Sequence, residues 1–398
     1  MHAVICGAGI AGLASAISLH RSGWQVTVLE HAPRLRDGGY MIDFFGPGFD
    51  AAERIGILET LRERAHRVDV IDWADPDGHT RARLHYDRMR DAADGKLFPL
   101  LRGDVERTLF EALPGGVDVR FSTTVTGARS HAGGVAVDVG GDRIEADLLV
   151  GADGIHSGIR AQVFGPEERY LRPLGLHTAA WFADSPPAAT ALAGRFVIES
   201  APGKMAGVYG VGGDRVATFL TFTESAARMP EDPLTALRAR YWDLSGVVRP
   251  VLAADPVDEV YYDVVAQIEM PTWRSGRVIL VGDAAYAVSL VAGQGASLAL
   301  AGGVALGEAL DAYTLADDPQ ALDAALAAFE KRVRPVVEEK QAGGRRTAKW
   351  FVPTTPARLA LRNLSMRMAD LPMLARLLRP VLSLDTKGFA PVSRPESR

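Results

Sequence analysis

Short apolar runs alternate along this chain with glycine-rich turns and with segments in which apolar residues recur every three or four positions, the patterns of strands and helices. The first run, residues 3–6, leads into Gly7, Gly9 and Gly12. Small apolar residues then repeat at helical spacing as far as Leu19, and a second run, 26–29, ends on Glu30. Strand, glycine turn, helix and strand are predicted in that order. Further on, 40–45 reads as an extended segment between the pair Gly38 and Gly39 and the triplet Gly46, Pro47 and Gly48. A helix is predicted over 49–64, strands over 68–73 and 80–86 about the turn Asp75 to Gly78, a strand ending at Leu101, and a helix from Arg102 marked by Val105, Leu109 and Leu113. Short strands at 117–121 and 135–139 precede a second glycine turn that feeds a helix, in which strand 148–150 passes through Gly151, Asp153 and Gly154 into a helix that starts near Ser157.

From 173 to 222 the rhythm changes. Strand-like runs at 178–183, 195–200, 205–209 and 216–222 are separated by Gly, Pro and Asp turns, with no convincing helix among them, which predicts an antiparallel sheet. A helix over 233–252 and an extended run over 259–268 close that stretch, and 278–281 delivers Gly282 and Asp283 to a loop that ends in Gly293, Gln294 and Gly295 at the head of another helix. A charged, alanine-rich helix over 315–344, a basic amphipathic segment over 356–382 and a disordered end from Pro391 complete the chain.

Composition narrows the function classes. The 398 residues have a net charge of −5, without the basic excess of a nucleic-acid binder. The one cysteine, Cys6, lies in the first predicted strand, where a small structural residue is expected; no internal disulfide can form, which fits a reducing compartment. The nine histidines show no metal-ligand spacing, so no metal site is expected. Residues 3–19 lack the basic start and cleavage site of an export signal, and no uninterrupted apolar segment reaches membrane-spanning length, so a cytoplasmic protein is expected.

The chemistry sits in the glycine segments. In a dinucleotide-binding unit Gly7 makes the tight turn, Gly9 lets backbone approach a pyrophosphate, and Gly12 lets the helix pack close to the strand. The helix N-terminus offers N–H groups and a positive dipole end to phosphates, and Glu30 ends the second strand where a carboxylate can accept ribose hydroxyls. Arg102, at a strand-to-helix junction, can hold positive charge against phosphate or ribose.

In this order the segments resemble the single-component FAD-dependent aromatic monooxygenases, the para-hydroxybenzoate hydroxylase family of class A flavoprotein monooxygenases. The matching stretches are GAGIAG with Glu30, Arg102 in LLRGDVERTL, GADGIHSGIR, and VGDAA followed by GQGASLAL, together spanning three quarters of the chain. The resemblance implies an α/β fold: a Rossmann-like FAD-binding domain in two parts, 1–172 and 269–345, an inserted antiparallel substrate sheet over 173–268 with 68–101 as a candidate contribution, and C-terminal helices in 346–398. It also implies FAD on Gly7, Gly9, Ile10, Ala11, Gly12 and Glu30, with Arg102, Asp153 and Asp283 along its length. Gly293, Gly295, Ala296 and Ser297 would lie at its ring edge. NAD(P)H would be the co-substrate without a domain of its own, and a flavin C4a-hydroperoxide would transfer one oxygen atom of O2 to an aromatic or polyketide-like small molecule. Tyr209, Phe219, Phe222 and Tyr286 are the candidate substrate contacts, and the residues name no catalytic acid or base. Tyr286 stands where the family usually has histidine, Val288 and Leu290 near its usual loop proline, and Ser297 in place of its asparagine. A flavin dehydrogenase or oxidase, a halogenase, or a flavin-binding protein without turnover are the alternatives; the W-x-W-x-I-P run of halogenases is missing.

Overall fold

The computed structural model describes residues 1–35, 40–225, 229–311, 319–371 and 388–389. Gly38, Gly39, residues 372–382 of the amphipathic segment and the end from Pro391 lie outside the described residues. Strand His2–Cys6 pairs in parallel with Gln25–Leu29 on one side and Leu148–Gly151 on the other. Helix Ile10–Arg21 connects the first two and is buried from Ile10 to Leu19. Its small side chains have a use: helix Gly295–Asp311 lies against it so closely that a Cβ on Gly303 would stand 2.7 Å from the Ser15 nitrogen, and one on Gly307 2.4 Å from the Ser18 Cβ. Six strands make up this sheet, in the order Arg274–Ser275, Val278–Leu280, Leu148–Gly151, His2–Cys6, Gln25–Leu29, Asp118–Arg120.

A second sheet of eight strands runs Tyr261–Ile268, Leu171–Ala180, Arg215–Thr223, Lys204–Gly212, Arg195–Ala201, Val70–Ala74, Thr80–His85, with Phe182–Asp184 also paired to Arg215–Thr223. It is antiparallel except where Arg195–Ala201 meets Val70–Ala74 in parallel. The exception arises because the chain enters this sheet twice, and a parallel pair needs a long crossover between its strands. Directly paired residues share a face. Thr178, paired with both Thr221 and Asp263, therefore belongs with Phe219, Tyr209 and Val265 on an inner face. His177, paired with Phe222 and Val264, belongs to the outer face. Ala348 and Ala369, from the C-terminal helices, and Val352 between them pack with Leu176, Ile198, Met205 and Val265 of the inner face. Helices Pro186–Ala191, Pro233–Arg240 and Val248–Ala253 cover the outer face around Trp181 and Tyr241.

The first of those helices interrupts the stretch predicted to hold only strands. Pro186 and Pro187 read as a turn, but proline at the first positions of a helix loses no internal hydrogen bond. The helix predicted over 233–252 is two helices parted near Ser245 and Gly246, and the one over 49–64 is likewise two, Pro47–Arg54 and Leu58–Glu63, parted at Gly56 in the left-handed region (φ +76°). Helix Tyr86–Ala92 and strands Val125–His131 and Asp142–Ala146 were not predicted. The amphipathic helix runs over Pro319–Phe351 with Pro335 inside it. Among the described residues no helix is long and apolar enough to cross a membrane.

Candidate functional site

The first glycine turn is built by exclusion. Gly7 is left-handed (φ +106°), and a Cβ there would stand 2.5 Å from the Ala152 carbonyl oxygen; one on Gly12 would stand 1.9 Å from the Gly7 oxygen. Gly9 differs: its Cβ would find only the Glu106 carboxylate, at 3.5 Å. That side of the loop is open, and Gly9 caps a helix whose first turn holds no side-chain cap and no acid, so its amides are available to an anion. Glu30 braces the loop from behind, accepting the Ala8 N–H at 2.7 Å and the Ala32 N–H at 2.8 Å. The Cys6 thiol beside it is pushed well up by burial, with Asp153 and Glu30 adding to the effect, and is a structural thiol.

Gly9, Ile10 and Ala11 open into one cleft with Arg102, Asp283, Gly293, Gly295 and Ala296. Across from them the same cleft is lined by Tyr40, Ile42, Thr178, Tyr261, Asp263 and Val265, from the inner face of the eight-stranded sheet and the extended segment beside it. Arg102 sits at the start of its helix and binds Glu106 at 2.7 Å, the contact that most raises its already high pKa. Asp283 reaches solvent through the cleft, yet desolvation by the surrounding protein raises its pKa, against Arg102 and with Asp263. The Tyr40 ring lies 5.8 Å from Phe219 and 6.0 Å from Tyr261, and burial pushes its hydroxyl up to about 12, opposed by Arg102.

Other expected residues stand off the cleft wall. Asp153 turns its carboxylate into the next helix, accepting from the Ser157 hydroxyl and from Ile159 N–H at 3.0 Å; its neighbours Ala152, Gly154 and Ile155 line the cleft instead. Ser297 is buried against Gly48, where a Cβ would stand 2.6 Å from the Ser297 Cα. Three of the four expected substrate contacts are displaced. Tyr209 is on the inner face but buried, with its hydroxyl accepting the Met41 N–H. Phe222 is an odd number of residues from Phe219, so it faces the other way, under the Arg240 guanidinium at 4.2 Å. Tyr286 is buried against Trp273, ring centroids 4.6 Å apart, with its oxygen beneath Gly302. Phe219 alone reaches the cleft region, through Tyr40.

Sequence reading missed Thr178, Tyr261 and Asp263 from the sheet and Tyr40 from the segment beside it; an alternation of faces over 261–268 was the available signal for the sheet residues. It also missed His156, whose ring joins Asp263 at 3.2 Å to Glu167 at 3.0 Å and whose pKa rises to about 9, chiefly through Asp263. Glu167 in turn holds the buried Arg160 at 2.8 Å, and Arg160 donates to the Ala284 carbonyl beside Asp283 at 3.1 Å. The loop in which the resemblance implies a proline is fixed by side chains of other elements. Gln267 donates to the Val288 carbonyl at 3.0 Å, Gln341 donates to those of Ile268 and Ala287 at 2.7 and 3.2 Å, and Ser289 is held at φ +81°, ψ 148°, a conformation proper to glycine.

The cradle fits a dinucleotide: a glycine loop with no room for Cβ on its inner side, free helix amides on its open side, and a cation and a carboxylate on the same cleft. Asp75, Asp77 and His79 also cluster, but as an exposed turn in which Asp75 accepts the backbone N–H of both others.

Comparison with known proteins agrees. A family profile described as FAD binding domain matches residues 1–340. An uncharacterized protein of Mycobacterium tuberculosis is 34% identical over 323 residues, covering 78% of this chain and 84% of its own. A flavin-dependent monooxygenase of Legionella longbeachae is 27% identical over 306 residues, 75% of this chain and 77% of its own. Among solved structures, tetracycline destructase Tet(51) superposes with a TM-score of 0.75 at 25% identity, over 93% of this chain and 96% of its own.

Proposed function

The chain belongs to the FAD binding domain family and is an FAD-dependent monooxygenase, and from that premise we propose that it uses NAD(P)H and O2 to insert one oxygen atom into an aromatic or polyketide-like small molecule. The observation that carries the reading is a single cleft whose one side is the glycine loop with Arg102, Asp283 and Gly295, and whose other side is the aromatic inner face of the sheet. FAD bound there supplies electron transfer from NAD(P)H and the activation of O2, chemistry that side chains do not provide.

The chain's own part is to bind, orient and keep dry. Gly7, Gly9, Ile10, Ala11 and Gly12 would receive the pyrophosphate on the helix N-terminus, Glu30 the adenosine ribose, and Arg102 and Asp283 the stretch between phosphate and ring. Gly293, Gly295 and Ala296 would meet the ring edge. Tyr40, Phe219 and Tyr261 would hold a flat substrate opposite and exclude water, which protects an oxygen-transferring site from unproductive release of peroxide. The name of the destructase and its likeness to this chain support a polycyclic substrate class.

Purified protein tests the reading. Flavin absorbance, NAD(P)H oxidation and O2 uptake stimulated by members of an aromatic panel, and a product heavier by one oxygen atom are the expected results. Tight FAD with no NAD(P)H consumption for any compound would overturn turnover while leaving the cofactor.

A further inference from the structure

Asp263 is the carboxylate on the sheet side of the cleft, and it is held from behind. Its Oδ1 accepts the Val264 N–H at 2.7 Å and faces His156 Nε2 at 3.2 Å; among the described residues its Oδ2 has only the Tyr261 hydroxyl, at 3.4 Å. Both Asp263 and Tyr261 line the cleft, whereas His156 is half-exposed on the far side and tied to Glu167 at its other nitrogen. One carboxylate oxygen is therefore fixed by protein, and the other is left at the cleft with a single long contact among the described residues.

We propose that Asp263 selects the substrate: Oδ2 accepts a hydrogen bond from an amino or hydroxyl group on an aromatic ligand, and His156 is the positioning residue that holds the carboxylate in its orientation. This rests on the substrate entering the cleft as proposed above. A carboxylate acceptor favours ligands that present a donor at that edge and disfavours those that present only acceptors or methyl groups, because the latter bury the charge without a partner. The groups facing His156 are Asp263 from the strand and Glu167 from the short helix, with Tyr261 behind the first and Arg160 behind the second. Asp263 and Glu167 favour the imidazolium, which persists to about pH 9.

The test uses FAD-loaded enzyme and matched probes, aminonaphthalenes and their N,N-dimethyl counterparts, whose nitrogens do not titrate between neutrality and pH 10. Affinity is read from the perturbation of flavin absorbance, and folding from the unfolding midpoint. The unaltered enzyme should bind the amino compound about tenfold or more tightly than its dimethyl partner, the size expected of a hydrogen bond to a charged group. Asp263→Ala should abolish that preference, weakening the amino compound and tightening the dimethyl one, with Asp263→Asn between the two. In the unaltered enzyme the preference should fall as pH rises through about 9. His156→Gln should lower it at neutral pH and remove that pH dependence. Equal binding of both partners by the unaltered enzyme, no binding of the amino compound, or an unchanged preference in Asp263→Ala with a normal midpoint overturns the proposal. Failure of the underlying reading looks different, since the unaltered protein would then hold no FAD or consume no NAD(P)H.

Discussion

At the scale of single residues, the two glycines that read alike in the sequence should behave oppositely when a methyl group is added. Gly12→Ala places a carbon 1.9 Å from the Gly7 carbonyl oxygen, a clash only backbone movement can relieve, and should cost roughly 3 kcal/mol or more of stability. Gly9→Ala meets nothing closer than 3.5 Å and keeps an ordinary φ of −78°. It should cost about 1 kcal/mol or less in thermal unfolding of the FAD-free protein, yet retain far less FAD on gel filtration, because the added carbon occupies the open side. Equal losses in both assays would mean that Gly9 serves only the fold. His156 makes a second prediction. Its folded-state pKa is about 9, above its ordinary 6.5, so its contribution to stability is complete below about pH 6.5 and is lost as pH rises through about 9. The stability gap between the protein and its His156→Gln variant should close over that window; a gap independent of pH would mean the ring acts by packing alone. Which residues turn toward the cleft was legible only where spacing reveals it. Glycines announce themselves by having no alternative, but Tyr209, Phe219 and Phe222 share an apolar character that says nothing about which of two faces each will take until cross-strand pairing is known.

Among elements, the loop over 287–293 shows how a backbone can be fixed by side chains from outside it. Neither Val288 nor Leu290 restricts the backbone as proline would. The loop is held from outside instead, by Gln267 from the sheet and Gln341 from the long helix, whose side-chain amides reach the carbonyls of Val288, Ala287 and Ile268. Arg345 fixes the Gln267 oxygen at 2.9 Å. Gln341→Leu should leave two buried carbonyls without this partner, cost about 1–3 kcal/mol in chemical unfolding, and slow turnover more than it reduces FAD content. An unfolding free energy within error of the unaltered protein would show that water replaces the amide. This tether could not be read from sequence, since it joins residues some seventy positions apart, and glutamine in a helix ordinarily marks a solvated face. The strand, glycine turn and helix at the N-terminus were legible for the opposite reason: the pattern that announces them lies within thirty residues, although Ala152 and Gly303 also shape it. Helix Pro186–Ala191 shows the intermediate case, where two prolines signal a turn or a helix start equally well.

On the scale of the whole molecule, the cleft is assembled from segments that are remote in the chain: Gly9, Arg102, Asp283 and Gly295 from the parallel sheet and its neighbours, Thr178, Tyr261 and Asp263 from the other sheet. His156 and Arg160 tie the two together through Asp263, Glu167 and Ala284. A ligand that occupies such a cleft is bound only when both sheets are in place, so its binding free energy belongs to the fold as a whole. At a free FAD concentration of about 100 times the dissociation constant, the stabilisation is about 2.7 kcal/mol. Amide hydrogen exchange distinguishes where it acts. If FAD meets only the glycine loop, added protection should appear in Gln25–Leu29 and Leu148–Gly151 and leave Tyr261–Ile268 unchanged. The shared cleft and the ion-pair tether predict instead that protection rises in all three strands, and that His156→Gln, by cutting the tether, confines the gain to the parallel sheet without abolishing it.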